Sequence, residues 1–356
     1  MKILHVITSL RTGGAEKLMV DLLPRLRDAG HEVELLLFDG VETPFKAAAK
    51  ENGIRIHELG RKRSVYSPLN FFRLLPYLRR YDIVHTHNTA PQLFAAIGSL
   101  FCRTRLFTTE HGGSNRRRSW KWYARLDRWM YSRYEKVVCI SDKGEENLRA
   151  FIGDGENICT INNGVDVEKF SSASSSGELE RMAPRSRKIV MVAGFRWEKD
   201  QPTVIKALSH LPENFHLFLI GDGVRCGEFA SLTAELGLSE RVHFLGVRSD
   251  VAELLHAADY VVMSSHFEGL SLSSVEGMSV GKPFIASDVD GLREVVKGYG
   301  ILFPHEDSEA LAAEIMRLED SEERYKSVAD TCRRRADKFD IAQMAEAYSR
   351  IYNQSI

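Results

Sequence analysis

Two glutamates, Glu268 and Glu276, stand with seven residues between them in the segment EGLSLSSVE. An apolar run typical of a buried strand precedes them, so Glu268 falls in a loop and Glu276 in the next helix. The intervening Gly269, Leu270 and Ser271 would offer backbone N–H groups at that helix N-terminus, where an anion is favoured. Carboxylates accept strong hydrogen bonds from hydroxyls, so the pattern predicts a site for a diphosphate flanked by hydroxyls. The alternative is a helix cap beside an incidental glutamate.

A second motif carries two cations. The segment GFRWEKD, residues 194–200, follows another apolar run and begins at Gly194. It places Arg196 and Lys199 three residues apart at the start of a predicted helix. A guanidinium and an ammonium there would suit a leaving diphosphate, although two solvated loop cations would give the same pattern.

A glycine pair, Gly13 and Gly14, follows the first predicted strand and would let the backbone approach a ligand closely. It does not form GxGxxG, and no acidic residue follows at the dinucleotide spacing. The later GDG at 221–223 does not complete that fingerprint either. A nicotinamide-dependent dehydrogenase is therefore weakly supported.

Histidines also lie at predicted strand ends. His85 and His87 in DIVHTHN would contact an acceptor or serve as satisfied structural histidines, and the residues alone leave both interpretations open. His111 is better placed for a ligand, and a structural role for it also stays open. Glu294 is expected to stabilise its loop or helix start, with a ligand role as the alternative.

The elements that would position these residues alternate along the chain. Continuous apolar runs, typical of buried parallel strands, alternate with helical patterns from the first residue. The alternation pauses at SSASSSGE, residues 171–178, whose small polar residues predict a flexible segment, and then restarts. Strand–helix alternation indicates βαβ units. Ligands of such sheets bind beyond the carboxyl ends of the strands, where all of these motifs fall.

Length, charge and cysteine content limit the class of protein. The chain has 356 residues, which suits two domains, and a formal net charge of −1, which gives no case for nucleic-acid binding. Its five cysteines form no CxxC pair, so reduced cytosolic cysteines are expected rather than a disulfide scaffold or zinc ribbon. The start MKILHVITSL indicates a buried strand rather than a signal peptide, and no apolar run of roughly 18 residues predicts a membrane span.

Taken in order, the motifs resemble the retaining glycosyltransferases of family four, which have the GT-B fold. The matching segments are GGAE, TEHG at 109–112, NNGVD at 162–166, GFRWEKD, IGDG, and the two glutamates followed by DGLREVV. The resemblance implies two doubly wound Rossmann-like α/β domains facing each other across a cleft. The expected parts are an acceptor-binding domain over 1–168, a flexible linker over 169–186, a nucleotide-sugar-binding domain over 187–335, and a last helix over 336–356 that returns to the first domain. Ser271 and Gly277 stand where glycine and alanine are common in the family, and both are small replacements.

The resemblance also implies a role for each matching residue. Glu268 would hold hydroxyls of the transferred sugar, Glu276 would hold those of the ribose, and His111 would lie beside the sugar and the acceptor. The donor-binding residues are expected to be Gly14, Gly194, Arg196, Lys199, Glu268, Gly269, Leu270, Ser271, Leu272 and Glu276. The expected acceptor-binding residues are Gly13, His87 and His111, and the expected catalytic residues are His111, Arg196, Lys199 and Glu268.

Two stretches of the N-terminal half interleave cations with aromatic residues, at 61–80 and at 116–129. This composition suits the interface of an anionic membrane, and it also suits a solvated charged face over an apolar core stripe. The membrane interpretation predicts docking on the cytoplasmic leaflet and a lipid-pyrophosphate-linked acceptor. Co-sedimentation with anionic liposomes tests it, and a lack of binding at low salt would contradict it.

These inferences predict a retaining glycosyltransferase of the EC 2.4 class that uses a nucleotide-diphosphate sugar, by analogy a UDP-sugar. The expected setting is bacterial capsule, exopolysaccharide or lipopolysaccharide synthesis, in the cytoplasm or peripherally on the inner face of its membrane. No carboxylate is an obvious nucleophile, so front-face substitution is expected. No metal motif stands out, so no cofactor and no essential metal are expected. The alternatives are a nucleotide-sugar epimerase of the same fold and a non-catalytic sugar-nucleotide-binding protein.

Overall fold

The computed structural model describes residues 1–11, 13–60, 64–111 and 121–354. Parallel strands alternate with helices throughout these ranges. The strands are β1 (Lys2–Ile7), β2 (Glu32–Leu37), β3 (Arg55–Glu58), β4 (Ile83–His87), β5 (Arg105–Glu110), β6 (Lys136–Cys139), β7 (Ile158–Thr160), β8 (Arg187–Val192), β9 (Phe215–Ile220), β10 (Val242–Gly246), β11 (Tyr260–Met263), β12 (Phe284–Ser287) and β13 (Ile301–Phe303).

Most of the helices connect successive strands, as expected for βαβ units, and the last three follow β13. They are α1 (Gly14–Asp28), α2 (Pro44–Glu51), α3 (Pro68–Leu78), α4 (Thr89–Gly98), α5 (Lys121–Tyr131), α6 (Asp142–Ile152), α7 (Val167–Ser171), α8 (Glu178–Met182), α9 (Gln201–Leu208), α10 (Cys226–Glu235), α11 (Val251–His256), α12 (Leu272–Ser279), α13 (Leu292–Val296), α14 (Ser308–Glu319), α15 (Glu322–Ala336) and α16 (Ile341–Asn353).

The chain forms two compact units. The first comprises Met1–Gly164 together with Ile341–Ile356, and the second comprises Val165–Asp340. The first unit contains a seven-stranded sheet of order β3-β2-β1-β4-β5-β6-β7, and the second a six-stranded sheet of order β10-β9-β8-β11-β12-β13. The two sheets establish two doubly wound Rossmann-like α/β units, as the motifs predicted.

In the first unit, the alternation of side chains along β1 separates two apolar layers. Ile3 and Ile7 pack with α1 and α16 on one face, and Leu4 and Val6 pack with α3 to α6 on the other. His5 lies between Ile3 and Ile7 in this alternation, so its ring points to the face that α16 covers. The return of the last helix therefore determines what surrounds His5.

Each sheet has a topological switch point, where the connections run outward on both sides. In the first unit it lies between β1 and β4, which pair in parallel, and in the second it lies between β8 and β11. Ligands of doubly wound sheets bind in the crevice outside the strands' carboxyl ends at such a point. The segments that follow β1, β4, β8 and β11 are therefore the first places to look for a site.

The structure differs from the expected linker over 169–186. This segment belongs to the second unit and contains α8, and Phe170, Leu179 and Ala183 are buried in that unit's core. The segment is rich in serine, but these few apolar residues pack into the core and hold the segment against the second unit. Before the last helix, a 3₁₀ turn at Asp337–Phe339 separates α15 from α16.

No helix within the described ranges is long and apolar enough to cross a membrane.

Candidate functional site

The segment after β8 brings the two predicted cations to the switch point of the second unit. A 3₁₀ turn at Trp197–Lys199 precedes α9, so Arg196 and Lys199 lie one turn before that helix rather than within it. The Arg196 side chain is exposed and has no hydrogen-bond partner among the described residues. Its guanidinium therefore stays available to an anion at this strand end.

Lys199 and Glu268 meet although 69 residues separate them in sequence. The ammonium donates to Glu268 Oε1, and the side chains are 25% and 10% exposed respectively. The Ser265 hydroxyl donates to the same carboxylate oxygen at 2.7 Å. Because β8 and β11 are adjacent, the segments that follow them hold a paired cation and carboxylate at one strand end.

Backbone amides lie next to this ion pair. Ser271 caps α12, and its hydroxyl accepts a hydrogen bond from the Ser274 N–H. The N–H groups of residues 269–273 have no hydrogen-bond partner among the described residues. Unpaired amides at a helix N-terminus attract anions through both hydrogen bonding and the helix dipole.

Gly291 fixes the position of this loop. Its φ is +84°, and a Cβ on it would lie 2.1 Å from the Gly269 carbonyl oxygen and 2.4 Å from that of Glu268. A side chain at this position would therefore push the Glu268–Gly269 backbone away. Neither Gly291 nor Ser265 was predicted from the sequence, although Gly291 stands in the DGLREVV motif.

The remaining predicted donor residues of the second unit lie on the same two segments. Leu270 and Glu276 are buried, Glu276 inside α12, and Gly194 accepts a hydrogen bond at its carbonyl from the Gln201 amide at 3.0 Å. Glu294 lies exposed on α13. The second unit thus gathers cations, carboxylates and free amides around its switch point, a set suited to a diphosphate with neighbouring hydroxyls.

In the first unit, the glycine pair begins α1 directly after β1. Gly13 is the N-cap with an extended backbone, and Gly14 is the first helical residue and is exposed. Nearby, Asn88 follows β4 with a φ of +68°, and its side chain accepts a hydrogen bond from the Thr8 N–H at 3.3 Å. Asn88 thus ties together the ends of the two strands at this switch point.

Four histidines form a connected column on the face of the first sheet that α16 covers. His5 Nδ1 lies 3.0 Å from His87 Nε2, and His87 Nδ1 lies 2.8 Å from His111 Nε2. His85 stacks on His5 and on His87, with ring centroids 5.0 Å and 4.7 Å apart. Hereafter the histidine column means His5, His85, His87 and His111.

Burial keeps the histidine column uncharged. Desolvation lowers the pKa of His5 to about 3 and that of His111 to about 4. The pKa values of His85 and His87 fall well below the usual range for the same reason, with neighbouring imidazoles as a smaller cause. At neutral pH these rings donate and accept hydrogen bonds without carrying charge.

The prediction that His87 binds an acceptor directly needs correction. His87 is 1% exposed, and both of its nitrogens are bonded to other imidazoles, so neither nitrogen is free to contact an acceptor. His85 is likewise a satisfied structural histidine: Nδ1 lies 2.6 Å from the Tyr352 hydroxyl and Nε2 lies 2.8 Å from Thr109 Oγ1. The helix α16 supplies Tyr352, and a sequence pattern does not reveal this partner.

Two groups bear on the expectation that no metal is needed. Asp200, His266 and His305 each place one possible ligand atom within 4.8 Å of the others. The sequence also contains Asp288-Val289-Asp290 after β12, a motif that the prediction overlooked. There Arg293 lies 2.6 Å from Asp288 and 3.2 Å from Asp290, so this pair is engaged by an ion pair. That no metal is essential thus stays a prediction to be tested.

The basic, aromatic stretches fall largely outside the described residues. Positions 61–63 and 116–120 are not among them, nor are the side chains of Lys121 and Trp122. Farther along the first stretch, Tyr66, Leu69 and Phe72 are at least half exposed.

Comparisons with known proteins match both units to glycosyltransferase families. The family described as Glycosyltransferase Family 4 matches residues 12–169, and the family described as Glycosyl transferases group 1 matches residues 180–335. A putative glycosyltransferase of Bacillus subtilis, EpsD, is 28% identical over 315 residues, which cover 82% of this chain and 83% of that protein. The UDP-Gal:alpha-D-GlcNAc-diphosphoundecaprenol alpha-1,3-galactosyltransferase of Escherichia coli is 26% identical over 276 residues, 72% of this chain and 71% of that one.

Solved structures show the same fold. The Anabaena protein HepE, crystallised in complex with UDP-glucose, aligns with a TM-score of 0.88 at 24% identity, over 99% of this chain and 100% of that chain. A glycosyltransferase of Rickettsia africae aligns with a TM-score of 0.82 at 22% identity, over 99% and 98%.

Proposed function

Because the chain belongs to the group 1 glycosyltransferases of family four, with the GT-B fold, we propose that it transfers a sugar from a UDP-sugar to a hydroxyl with retention of configuration. The chain is a glycosyltransferase, and the donor, the acceptor and the stereochemistry are what the proposal adds. The observation that carries it is the Lys199–Glu268 ion pair beside the unpaired amides after β11.

The second unit offers a separate partner to each part of such a donor. Arg196 and Lys199 supply positive charge for the diphosphate, and the amides of residues 269–272 supply hydrogen-bond donors for it. Glu268 accepts from sugar hydroxyls, and Glu276 accepts from the ribose hydroxyls. A UDP-sugar fits because one relative is named for transfer from UDP-Gal and the similar HepE structure is a complex with UDP-glucose.

The transfer itself is proposed to proceed on one face of the sugar. Charge develops on the leaving diphosphate as the glycosidic bond lengthens, and the two cations and the amides stabilise that charge. A diphosphate oxygen then takes the proton of the incoming hydroxyl. Gly13, Gly14 and His111 belong to the first unit, and we propose that they contact the acceptor and the donor diphosphate there.

The acceptor is proposed to be a saccharide or a lipid-linked saccharide of bacterial surface polysaccharide synthesis. Support comes from relatives, since one acts on a diphosphoundecaprenol-linked sugar and another is named for lipopolysaccharide core biosynthesis. Peripheral attachment to the inner membrane face follows as a proposal from the cationic, aromatic composition of 61–80 and 116–129. The liposome experiment described above tests that attachment independently of catalysis.

Nucleotide binding is expected to need the donor alone, whereas sugar transfer also needs an acceptor. The two can therefore be tested separately. In a thermal-shift panel of nucleotides and nucleotide sugars, UDP and at least one UDP-sugar should raise the unfolding temperature, because a ligand of the folded state stabilises it by mass action. That UDP-sugar incubated alone should give at most slow hydrolysis, and a saccharide acceptor should yield a glycoside of unchanged anomeric configuration. Conversion of the donor to a second nucleotide sugar without acceptor would instead identify an epimerase.

The same assay run in excess chelator tests the metal expectation. Undiminished transfer is expected, because protein cations and amides carry the diphosphate charge in the proposal. Loss of activity that Mg²⁺ or Zn²⁺ restores would contradict it and direct attention to Asp200, His266 and His305.

A further inference from the structure

Three possible metal ligands converge in the second unit, close to the Lys199–Glu268 ion pair but outside it. Asp200 follows the 3₁₀ turn after β8, His266 follows β11, and His305 follows β13. Each places one ligand atom, a carboxylate oxygen or an imidazole nitrogen, within 4.8 Å of those of the other two. Segments that lie far apart in sequence thus bring ligand atoms together at the carboxyl ends of three strands.

The Asp200 carboxylate is the least satisfied of the three groups. Asp200 is 5% exposed, and its Oδ2 is buried without a hydrogen-bond partner among the described residues. Burial of a carboxylate oxygen without a partner is costly, so buried charges are normally paired or coordinate a metal. A cation bound between Asp200 and the two histidines would supply the partner that this oxygen lacks.

The two imidazoles already face one another. His266 Nδ1 lies 2.8 Å from His305 Nε2, and the His266 side chain is 10% exposed. Neutral rings satisfy this contact by sharing one proton, and both nitrogens become free to bind a metal when each ring carries its proton on the other nitrogen. Two nitrogens bound to one tetrahedral Zn²⁺ lie roughly 3.3 Å apart, so a movement of about 0.5 Å opens the contact.

Backbone hydrogen bonds hold two of the ligands in place. The Ser264 hydroxyl donates to the Asp200 carbonyl at 2.7 Å, and the His266 N–H donates to the Glu198 carbonyl at 2.9 Å. The Trp197 ring lies against the His266 ring, with the two centroids 4.5 Å apart. The segments after β8 and β11 are therefore already fastened together, and a site formed in advance loses less ordering free energy when its ligand binds.

We propose that Asp200, His266 and His305 bind a Zn²⁺ ion, which fixes the segments after β8, β11 and β13 to one another. Two imidazole nitrogens and a carboxylate oxygen suit Zn²⁺, whereas Mg²⁺ prefers oxygen ligands. Glu306 Oε1, which lies 3.5 Å from His266 Nδ1, is placed to add a further oxygen. The ion stabilises the second unit and takes no part in sugar transfer, so this site goes beyond the proposed function and does not depend on it.

Zinc binding can be measured on the full-length chain after a chelator has been added and dialysed away. In titration calorimetry one equivalent of Zn²⁺ should bind saturably. At a Zn²⁺ concentration about 100-fold above the dissociation constant, the unfolding temperature should rise by roughly 5–10 °C, and Mg²⁺ at the same concentration should not raise it. Co²⁺ in place of Zn²⁺ should give the visible absorption of a nitrogen–oxygen site without a thiolate charge-transfer band, which separates this site from the five cysteines.

Substitutions of the ligands identify the site. His305→Ala changes an exposed residue and should weaken Zn²⁺ binding by about 100-fold or more, since loss of an outer-shell partner alone costs roughly 10–100-fold. Asp200→Asn keeps the shape of the side chain and should also weaken binding. His243→Ala is the matched control, because His243 Nε2 lies 3.0 Å from His216 Nδ1 but no third ligand atom joins that pair among the described residues. Its Zn²⁺ affinity should be unchanged.

A lack of saturable Zn²⁺ binding, an affinity that His305→Ala leaves unchanged, or an equal loss in His243→Ala would overturn the proposal. These measurements need no sugar nucleotide, so they are independent of the proposed function. If Zn²⁺ binds as expected but UDP and UDP-sugars do not, the proposed function fails and the metal site stands. If transfer proceeds but Zn²⁺ does not bind, the metal site fails and the proposed function stands.

Discussion

Replacing Lys199 with alanine is expected to lower the rate of sugar transfer by about 10²–10³-fold, which corresponds to about 3–4 kcal/mol of lost transition-state stabilisation. The ammonium is one of two cations placed for the leaving diphosphate, and charge on that group grows as the bond breaks. Glu268→Ala should be similarly inactive, since it removes the acceptor for sugar hydroxyls. Initial rates with the UDP-sugar found in the panel, and UDP affinity by titration calorimetry, measure the effect.

A loss of activity could also follow from breaking an ion pair that is merely structural. Arg187→Ala is the matched control, because it breaks an Arg187–Glu319 ion pair of 2.5 Å at the opposite end of β8 and should leave transfer unchanged. The exchanged pair Lys199→Glu with Glu268→Lys restores opposite charges without restoring their positions. Recovery of activity in the exchanged pair, or turnover within threefold of normal in Lys199→Ala, would refute the diphosphate role.

Acid is expected to destabilise the first unit well before most carboxylates are protonated. The four column histidines have pKa values below the ordinary 6.5, with His111 at about 4 and His5 at about 3, because burial disfavours the charged imidazole. In the unfolded chain these groups take up protons below about pH 6.5. The unfolded state then binds more protons than the folded state, so the free energy of unfolding falls as the pH falls from 6.5 toward 4.

The expected slope is large. Each histidine contributes up to about 1.4 kcal/mol per pH unit, so four contribute up to about 5.5 kcal/mol per unit. The other titratable groups facing the column are His31, whose pKa is also lowered, and Tyr348 and Tyr352, whose raised pKa values keep them neutral. Hydrogen exchange of β1 and β4 peptides between pH 7 and pH 5 measures the effect.

A variant with fewer titrating groups provides the control for the acid experiment. His85→Phe should reduce the slope by about a quarter, whatever it does to stability at pH 7. Stability that stays level from pH 7 to pH 5, or a slope that His85→Phe does not change, would show that the buried imidazoles are not the cause.

The sequence predicted most strands correctly because parallel strands buried on both faces are continuous apolar runs. The ordered motifs predicted the family, and the comparisons with known proteins confirm both the family and the fold class. β7 and β13 have three residues each, too few to give a readable apolar period in the sequence. The prediction of a flexible linker was wrong for a related reason. It rested on the serine-rich composition of the whole segment, whereas Leu179 and Ala183 are buried by contacts with the rest of the second unit.

Contacts between distant segments account for what the sequence left out of the site. The residues next to His5 in sequence do not indicate that its Nδ1 lies 3.0 Å from His87 Nε2. Those next to His85 likewise do not indicate that its Nδ1 lies 2.6 Å from the Tyr352 hydroxyl. Ser265 is one of several serines before Glu268, and only the loop geometry shows that it donates to that carboxylate. By contrast, Arg196, Lys199, Glu268 and Glu276 could be predicted, since each follows a recognisable strand. Their roles stay predictions until the variants are measured.

Because α16 belongs to the first unit but comes last in sequence, it also affects the order in which the two units fold during synthesis. The second unit is continuous in sequence, whereas the first needs residues from both sides of it. The N-terminal strands must therefore wait, with His5 and His85 uncovered, while all of Val165–Asp340 is synthesised and begins to fold. Chaperones that protect nascent chains would meet this apolar face of β1 and β4 for most of the time that translation takes.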